Sequence, residues 1–261
     1  MRKRRGPVDR TISRTAIALT LAAAALAARH VAGPAQAAEP AGTPAFTSPT
    51  RITNPYLPVV PGAVKVYRGA ERGAAVMTIE THLTQVRDFQ WSGRVVTCRI
   101  VEQIEFLRGI EKSRARTYLA QSDDGAVWAF GEVEDDDSDT GEDGPDDPGG
   151  WIVGQRSPAD PPDVVAAEGP SMLMPGSPSP GLDWISVDLA PSFGERRRVE
   201  GVADSVRLPE GRRPGCVRLL EEDLVDRTTD TRWFAPGLGL VRARGPRDVL
   251  TLAASTIRPG R

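Results

Sequence analysis

The chain has 261 residues, of which 39% are hydrophobic, and it contains 26 glycines and 23 prolines. This composition is too apolar for a wholly disordered chain and too poor in glycine for a collagen-like one, so it is typical of a globular protein with many turns. The length allows one large domain or two small ones.

The first 37 residues have the pattern of a secretory signal. Six basic residues precede an apolar run from Ala16 to Ala28, which is too short to span a bilayer. Small residues follow and end in Ala35-Gln36-Ala37, which predicts cleavage after Ala37. We therefore expect a secreted or cell-envelope protein without a membrane span after cleavage. The alternative is an uncleaved amphipathic anchor.

Removal of the signal leaves 26 basic and 34 acidic residues, a net charge of −8. A chain of this charge repels phosphate backbones, and no basic stripe with interleaved aromatic residues is visible along the sequence. Nucleic acid is therefore excluded as a partner. Lys65 and Lys112 are the only lysines of the mature chain, and its other basic residues are arginines.

Alternating apolar residues between turn signals predict an all-β domain over residues 51–258. Residues 38–50 lack periodicity and predict a disordered lead-in, and the prolines of residues 51–62 predict an extended segment with Tyr56 and Leu57 pointing inward. Asp124-Gly125 is the strongest hairpin signal. We expect a mainly antiparallel, curved open sheet, a half-barrel or a barrel-like sheet. The predicted strands are Val76–Phe89, Val95–Leu107, Ser113–Ser122, Ala126–Phe130, Trp184–Leu189, Glu195–Arg207, Cys216–Val225, Thr229–Ala235, Leu238–Ala243 and Val249–Ile257.

An internal repeat is suggested by two similar orders of strands and turns. Each copy reads as strand, turn, cysteine-bearing strand, turn and aromatic strand, with Cys98 and Cys216 at equivalent positions. These are the only cysteines, and an exported chain predicts a disulfide between them. The alternative is that both are buried small hydrophobic residues.

The segment 132–150 carries ten carboxylates beside glycine and proline, which predicts a solvated, self-repelling loop. Asp135, Asp137 and Asp139 alternate as at the start of an EF-hand loop, but Gly141 falls one position too late and no flanking helices are predicted. An EF-hand is therefore rejected, and we expect no specific metal site.

Several motifs resemble those of a family of uncharacterised secreted bacterial proteins. They are Asn54-Pro-Tyr-Leu-Pro58 with Pro61-Gly62, Tyr67-Arg-Gly69, Asp124-Gly-Ala-Val-Trp-Ala-Phe-Gly-Glu132, Met174-Pro175 and Trp233-Phe-Ala-Pro-Gly-Leu-Gly-Leu-Val241. The resemblance implies a β-rich extracytoplasmic domain similar to the curved half-barrels of lipoprotein carriers, and it implies no activity. The chain departs from the family in Trp233-Phe234, where tyrosines are usual, and in its acidic insertion.

No catalytic motif is present, so we expect neither enzyme activity nor a cofactor. His82 is the only histidine of the mature chain, and its strand phase opposite Ile79 and Leu83 predicts a solvent-facing position. Strand acids that could be paired for glycoside hydrolysis are expected on the wet face of a sheet. These acids are Glu102, Glu105, Glu221, Glu222 and Asp223.

Two functions remain open. The first is a binding or carrier module whose concave sheet face accepts an apolar or small-molecule ligand. The residues expected to line that face are Met77, Ile79, Phe106, Trp128, Trp184 and Trp233. The second is a structural or protein-interaction domain of the cell envelope with a filled core. An open apolar cleft would favour the first function, and a packed interior the second.

Overall fold

The structure, a computed structural model, describes residues 43–135 and 149–258, except for the side chain of Asp135. The predicted signal sequence and most of the acidic segment lie outside the described residues. Among the described residues there is no helix long and apolar enough to cross a membrane. The fourteen strands are β1 (Val64–Glu71), β2 (Ala74–Trp91), β3 (Arg94–Leu107), β4 (Ile110–Gln121), β5 (Val127–Asp135), β6 (Gly150–Val153), β7 (Val165–Ala167), β8 (Ser171–Met174), β9 (Asp183–Leu189), β10 (Phe193–Leu208), β11 (Gly211–Asp223), β12 (Thr229–Ala235), β13 (Gly239–Arg244) and β14 (Asp248–Ser255).

All fourteen strands form one sheet, in which neighbours along the chain are mostly neighbours in space. The order is β7-β6-β5-β4-β3-β2-β1-β14-β13-β12-β11-β10-β9, and β8 pairs with β5 off this path. The sheet consists of two antiparallel meanders, a first one from β1 to β6 and a second one from β9 to β14. The two meanders are joined where β1 pairs with β14. The pair β6–β7 is parallel. The structure confirms the predicted all-β, mainly antiparallel class.

Side chains rather than a strand ladder bring the two ends of the sheet together. β8 is hydrogen-bonded to β5, and it also contacts β9. Trp184 Nε1 of β9 donates to the Met172 carbonyl of β8 at 2.8 Å, and Ser186 Oγ donates to the same carbonyl at 3.0 Å. Ser171 Oγ and Ser186 Oγ lie 2.9 Å apart. The sheet is therefore nearly closed and barrel-like.

Each meander contains one long hairpin that is bent by an irregular register. In β2–β3 the irregularity lies between His82 and Val86. In β10–β11 it lies between Val199 and Val206. Two shorter strands follow each hairpin, as the predicted repeat requires.

The predicted disulfide is wrong, because Cys98 and Cys216 are both free and buried. Cys98 lies on β3 and Cys216 on β11, which are six strands apart in the sheet order. A disulfide needs Cα atoms within about 7 Å, and β3 and β11 do not pair with each other in the sheet. Burial is the first cause of the raised pKa of both thiols, so they are inert, small core side chains.

The prediction that His82 faces solvent is also wrong, since this side chain is 1% exposed. In β2 the buried phase consists of Val76, Thr78, Glu80 and His82, whereas Met77 and Ile79 are half-buried on the opposite face. The prediction assumed that the more apolar of the two sets of alternating side chains faces inward. In β2 the more polar set faces inward, because Glu80 and His82 form hydrogen bonds and an ion pair with buried residues.

Two predicted boundaries differ from the structure. The described part of the lead-in packs on the domain: Phe46 makes edge contacts with Trp91 and Phe130, and Thr47 Oγ1 donates to Asp123 Oδ2 at 2.7 Å. The predicted acidic loop begins inside β5, where Glu132 is buried. Its residues 136–148 lie outside the described residues.

The family-like motifs meet at one end of the barrel. Asn54 Nδ2 donates to the carbonyls of Gly125 at 2.9 Å and Pro175 at 3.1 Å. The Gly237 N–H donates to the Pro55 carbonyl at 2.7 Å. Four motifs separate in sequence thus fasten the extended segment over this end. Their shared position indicates an architectural role, because the contacts are hydrogen bonds between the motifs themselves.

Candidate functional site: an outer-face groove above an ionic interior

The six residues expected to line one apolar face occupy separate places. Met77 and Phe106 oppose each other across β2–β3, and with Ile79 they lie half-buried on the outer face. Trp128 is buried and donates from Nε1 to Ser122 Oγ at 2.9 Å. Trp184 is buried opposite Arg197. Trp233 lies half-buried on the outer face of β12, so the structure gathers no common apolar cleft from all six.

Glu80 is the centre of a buried hydrogen-bonded cluster on the inner face. Its Oε1 lies 2.7 Å from Lys65 Nζ and 2.9 Å from His82 Nε2. Its Oε2 accepts from Gln103 Nε2 at 3.0 Å and from the Tyr67 hydroxyl at 3.3 Å. Burial alone would raise the pKa of Glu80, but the Lys65 ammonium and the His82 hydrogen bond hold it well below its usual value.

The hydrogen bonds of His82 define the tautomer of its ring. The Val60 backbone N–H donates to His82 Nδ1 at 2.9 Å, so Nδ1 is an acceptor. The ring proton is therefore on Nε2, where it donates to Glu80 Oε1. His82 in this way ties the proline-rich segment to the interior and has no free nitrogen for proton transfer or for a metal.

Arg197 is the centre of a second buried cluster, and its side chain has no exposed surface. Its Nε donates to Glu195 Oε1, its Nη2 lies 3.4 Å from Glu221 Oε1, and its Nη1 donates to the Leu173 carbonyl at 2.9 Å. Arg232 Nε lies 2.5 Å from Glu221 Oε2. Since Leu173 belongs to β8, Arg197 also helps to close the barrel.

Carboxylates outnumber cations around Arg197 and Arg232. Burial raises the pKa of Glu195 to about 7, against the attraction of Arg197 and with the repulsion of Glu221. Burial raises the pKa of Asp230 to about 6, and the charges of Asp248, Glu221 and Asp223 add to the effect. Part of the interior is therefore protonated near neutral pH. Among the described residues no group of acids, histidines or cysteines has a geometry that could hold a metal ion.

The raised pKa of Glu195 predicts a pH-dependent stability. The folded state holds this proton more tightly than the unfolded state, so the contribution is complete below pH 4.5 and is lost as pH rises to about 7. We expect this group to lower the free energy of unfolding by about 3 kcal/mol across that window, and we expect Glu195→Gln to remove that part of the slope. Urea unfolding of both proteins at a series of pH values measures it.

Glu222→Gln is the matched control, because Glu222 is the neighbour of Glu221 on β11 but is only half-buried. In Glu222→Gln the free energy of unfolding should depend on pH as steeply as it does in the parent protein. If Glu195→Gln left the pH dependence of the free energy of unfolding unchanged, Glu195 would not be the group that binds a proton more tightly in the folded state.

The interior is built to stabilise the barrel rather than to bind. Lys65, Glu80, His82, Arg197, Glu195 and Glu221 are each at most 5% exposed. A ligand could reach them only if the network opened. The rarity of lysine was a signal for this interior. Lys65 and Lys112 are the only lysines after residue 3, and each pairs with a buried glutamate, Lys65 with Glu80 at 2.7 Å and Lys112 with Glu71 at 3.1 Å.

A groove of about 570 Å³ lies on the outer face of the second meander. Its lining residues come from β10, β11, β12 and the end of β13, and from the turn that follows β13. The lining residues are Glu200, Arg218, Thr229, Thr231, Trp233, Arg244, Gly245 and Pro246. Of the residues expected to bind a ligand, only Trp233 is among them.

The indole of Trp233 is held in place from two sides. Its Nε1 donates to Asp204 Oδ2 at 2.9 Å, and the same oxygen accepts from Arg218 Nη1 at 3.0 Å. The Arg242 guanidinium lies over the ring, 5.8 Å from its centroid. A fixed, half-buried indole offers an apolar plate of the kind on which a ring stacks.

The groove also holds a cation that is available to bind a ligand. Arg244 is exposed, and its guanidinium forms no hydrogen bond or ion pair with any residue of the described ranges. Thr231 lies opposite Arg244 across β12–β13 and brings a hydroxyl to the same place. An aromatic plate beside a free guanidinium and hydroxyls suits a small ligand that carries a ring and a negative charge.

No protein-family profile and no curated protein sequence matches the chain. Among solved structures it is similar to a Bacteroides fragilis protein described as exported with a YmcC-like fold, at 10% identity over 77% of this chain and 98% of that chain, with a TM-score of 0.40. It is also similar to a Parabacteroides distasonis protein described as a lipoprotein, with the same identity and coverage and a TM-score of 0.36.

Proposed function

We propose that the mature protein is a non-catalytic extracytoplasmic domain that binds an acidic sugar unit in the outer-face groove. The export signal of residues 1–37 supports the location. The observation that carries the binding role is the fixed indole of Trp233 beside the free guanidinium of Arg244. The sugar ring would stack on the indole, and its carboxylate would pair with Arg244.

This ligand differs from the apolar one that the sequence suggested. The inner face, which had to supply an apolar cleft, carries buried ion pairs at Glu80 and Arg197. Burying an apolar ligand there would separate these charged groups from the partners that compensate their burial, which is costly. The groove needs no such rearrangement, because its polar groups already face solvent.

The experiment is a titration of the folded protein with the hyaluronan disaccharide, which carries one carboxylate. The neutral disaccharide cellobiose controls for the charge. We expect binding of the acidic disaccharide only, and we expect Trp233→Ala and Arg244→Ala each to raise its Kd about tenfold, the equivalent of about 1.4 kcal/mol. Arg207→Ala, an exposed arginine of β10 outside the groove, removes the same charge and should leave the Kd unchanged.

Equal binding of the two disaccharides, or a Kd that Trp233→Ala does not change, would contradict the proposal. Absence of binding to a protein shown to be folded by circular dichroism would favour the second function considered above, a structural or interaction domain of the envelope.

A further inference from the structure

A row of side chains continues from the groove across the outer face of the sheet. Directly paired residues of neighbouring strands lie side by side on one face. Arg218 pairs with Trp233, Trp233 with Arg242, Arg242 with Thr251, and Thr251 with Arg68. The row therefore crosses five strands, β11, β12, β13, β14 and β1, at right angles to the chain direction.

The arginines in this row recur at every second strand. Neighbouring strands are about 4.8 Å apart, so Arg218, Arg242 and Arg68 follow one another at about 10 Å. Trp233 stands between the first two and Thr251 between the last two. Positive charges thus alternate with a stacking plate and a hydroxyl at about the length of two linked sugar rings.

Two of the three arginines are not neutralised. Arg218 pairs with Asp204 at 3.0 Å and lies 3.8 Å from Glu200. Arg242 and Arg68 have no carboxylate partner within the ranges that the structure describes, and the buried Nε of Arg242 lacks a hydrogen-bond acceptor. Beside the compensated Arg218, the row therefore presents two positive charges, Arg242 and Arg68, that no described carboxylate neutralises, which favours an extended polyanion.

We propose that the natural ligand is an acidic polysaccharide that lies across β11 to β1, with one sugar ring in the groove and successive acidic groups at Arg242 and Arg68. This inference rests on the proposed function, because the groove supplies the first subsite. A single-stranded nucleic acid fits the row less well, since it needs successive aromatic plates for its bases and the row has one.

The test compares hyaluronan oligosaccharides of two lengths on the same folded protein. The disaccharide reports on the groove alone, whereas a decasaccharide is long enough to reach Arg68. Because separate subsites act together at high effective concentration, we expect the decasaccharide to bind at least about tenfold more tightly. We expect Arg68→Ala to weaken decasaccharide binding about fivefold, the size of one exposed ion pair, with Arg207→Ala again as the charge-matched control.

The outcomes separate the two proposals. If the disaccharide binds and the decasaccharide binds no more tightly, or if Arg68→Ala does not change the decasaccharide Kd, the polysaccharide inference fails while the groove stands. If neither sugar binds, both proposals fail. If single-stranded DNA displaces the decasaccharide at lower concentration than the decasaccharide itself, the row is a nucleic-acid site and the inference is overturned.

Discussion

Replacing Arg197 by methionine is expected to lower the free energy of unfolding by about 3 to 5 kcal/mol, the usual cost of breaking a buried ion pair from one side. Methionine is shorter than arginine but close to it in volume, so the change removes the charge and the hydrogen bonds and only a little volume. Glu195 would then remain buried without its guanidinium, Glu221 would keep Arg232 but lose Arg197, and the Leu173 carbonyl would lose its donor. The contact between β10 and β8 would be weakened at the same time.

Urea unfolding followed by tryptophan fluorescence measures this loss. Arg198→Met is the control, because Arg198 is the next residue of β10, lies exposed on the other face and pairs with Glu200 at 2.8 Å. It should cost less than about 1 kcal/mol. The double variant Arg197→Met with Glu195→Gln should lose less than Arg197→Met alone, because one stranded carboxylate is removed. If Arg197→Met unfolded at the same urea concentration as the parent protein, the buried ion pairs of Arg197 would not stabilise the fold.

Replacing Lys65 by methionine is expected to cost about 3 kcal/mol or more at neutral pH. Lys65 is the ammonium partner of Glu80, and the other donors to that carboxylate are His82 Nε2, the Gln103 amide and the Tyr67 hydroxyl. Without the ammonium, burial determines the pKa of Glu80, which would rise above its ordinary value.

This change in the pKa of Glu80 reverses the pH dependence of its contribution to the free energy of unfolding. In the parent protein the lowered pKa of Glu80 contributes stability that is present above pH 4.5 and is lost as pH falls through the folded value. In Lys65→Met the folded state prefers the protonated carboxyl, so the deficit should be largest at neutral pH and should shrink toward pH 4.5. Thermal unfolding at several pH values gives both curves.

Arg68→Met serves as the control for the lysine, because it removes a cation from the same strand on the exposed face. Its effect should be small and independent of pH. A deficit in Lys65→Met that stays constant with pH would contradict the assignment of Glu80 as the ionised partner.

Much of the strand pattern could be predicted because it is a local property. The predicted strand Thr229–Ala235 has the bounds of β12, and Gly125 of the Asp-Gly turn before β5 has φ +86°. Alternation, turn residues and the absence of helical periodicity are all encoded within a few residues. They also led to the barrel-like class, since regular short strands must bury one face of a sheet.

The faces of those strands could not be assigned in the same way. Alternation shows that Met77 and Ile79 share one face and that Glu80 and His82 share the other, but it does not show which face is inside. Apolar character favoured Met77 and Ile79. Only the partners supplied by other strands, Lys65 from β1 and Gln103 from β3, make burial of Glu80 favourable.

The sequence by itself determined an exported-type leader pattern, an all-β chain, its turns and a repeated order of strands. The tertiary structure alone decided that the interior is ionic, that the cysteines stay apart and that Trp233 stands in a row of arginines. The physical reason is register: Arg68, Trp233 and Arg218 become neighbours through pairing between distant strands. A basic stripe that runs across strands leaves no stripe along the chain.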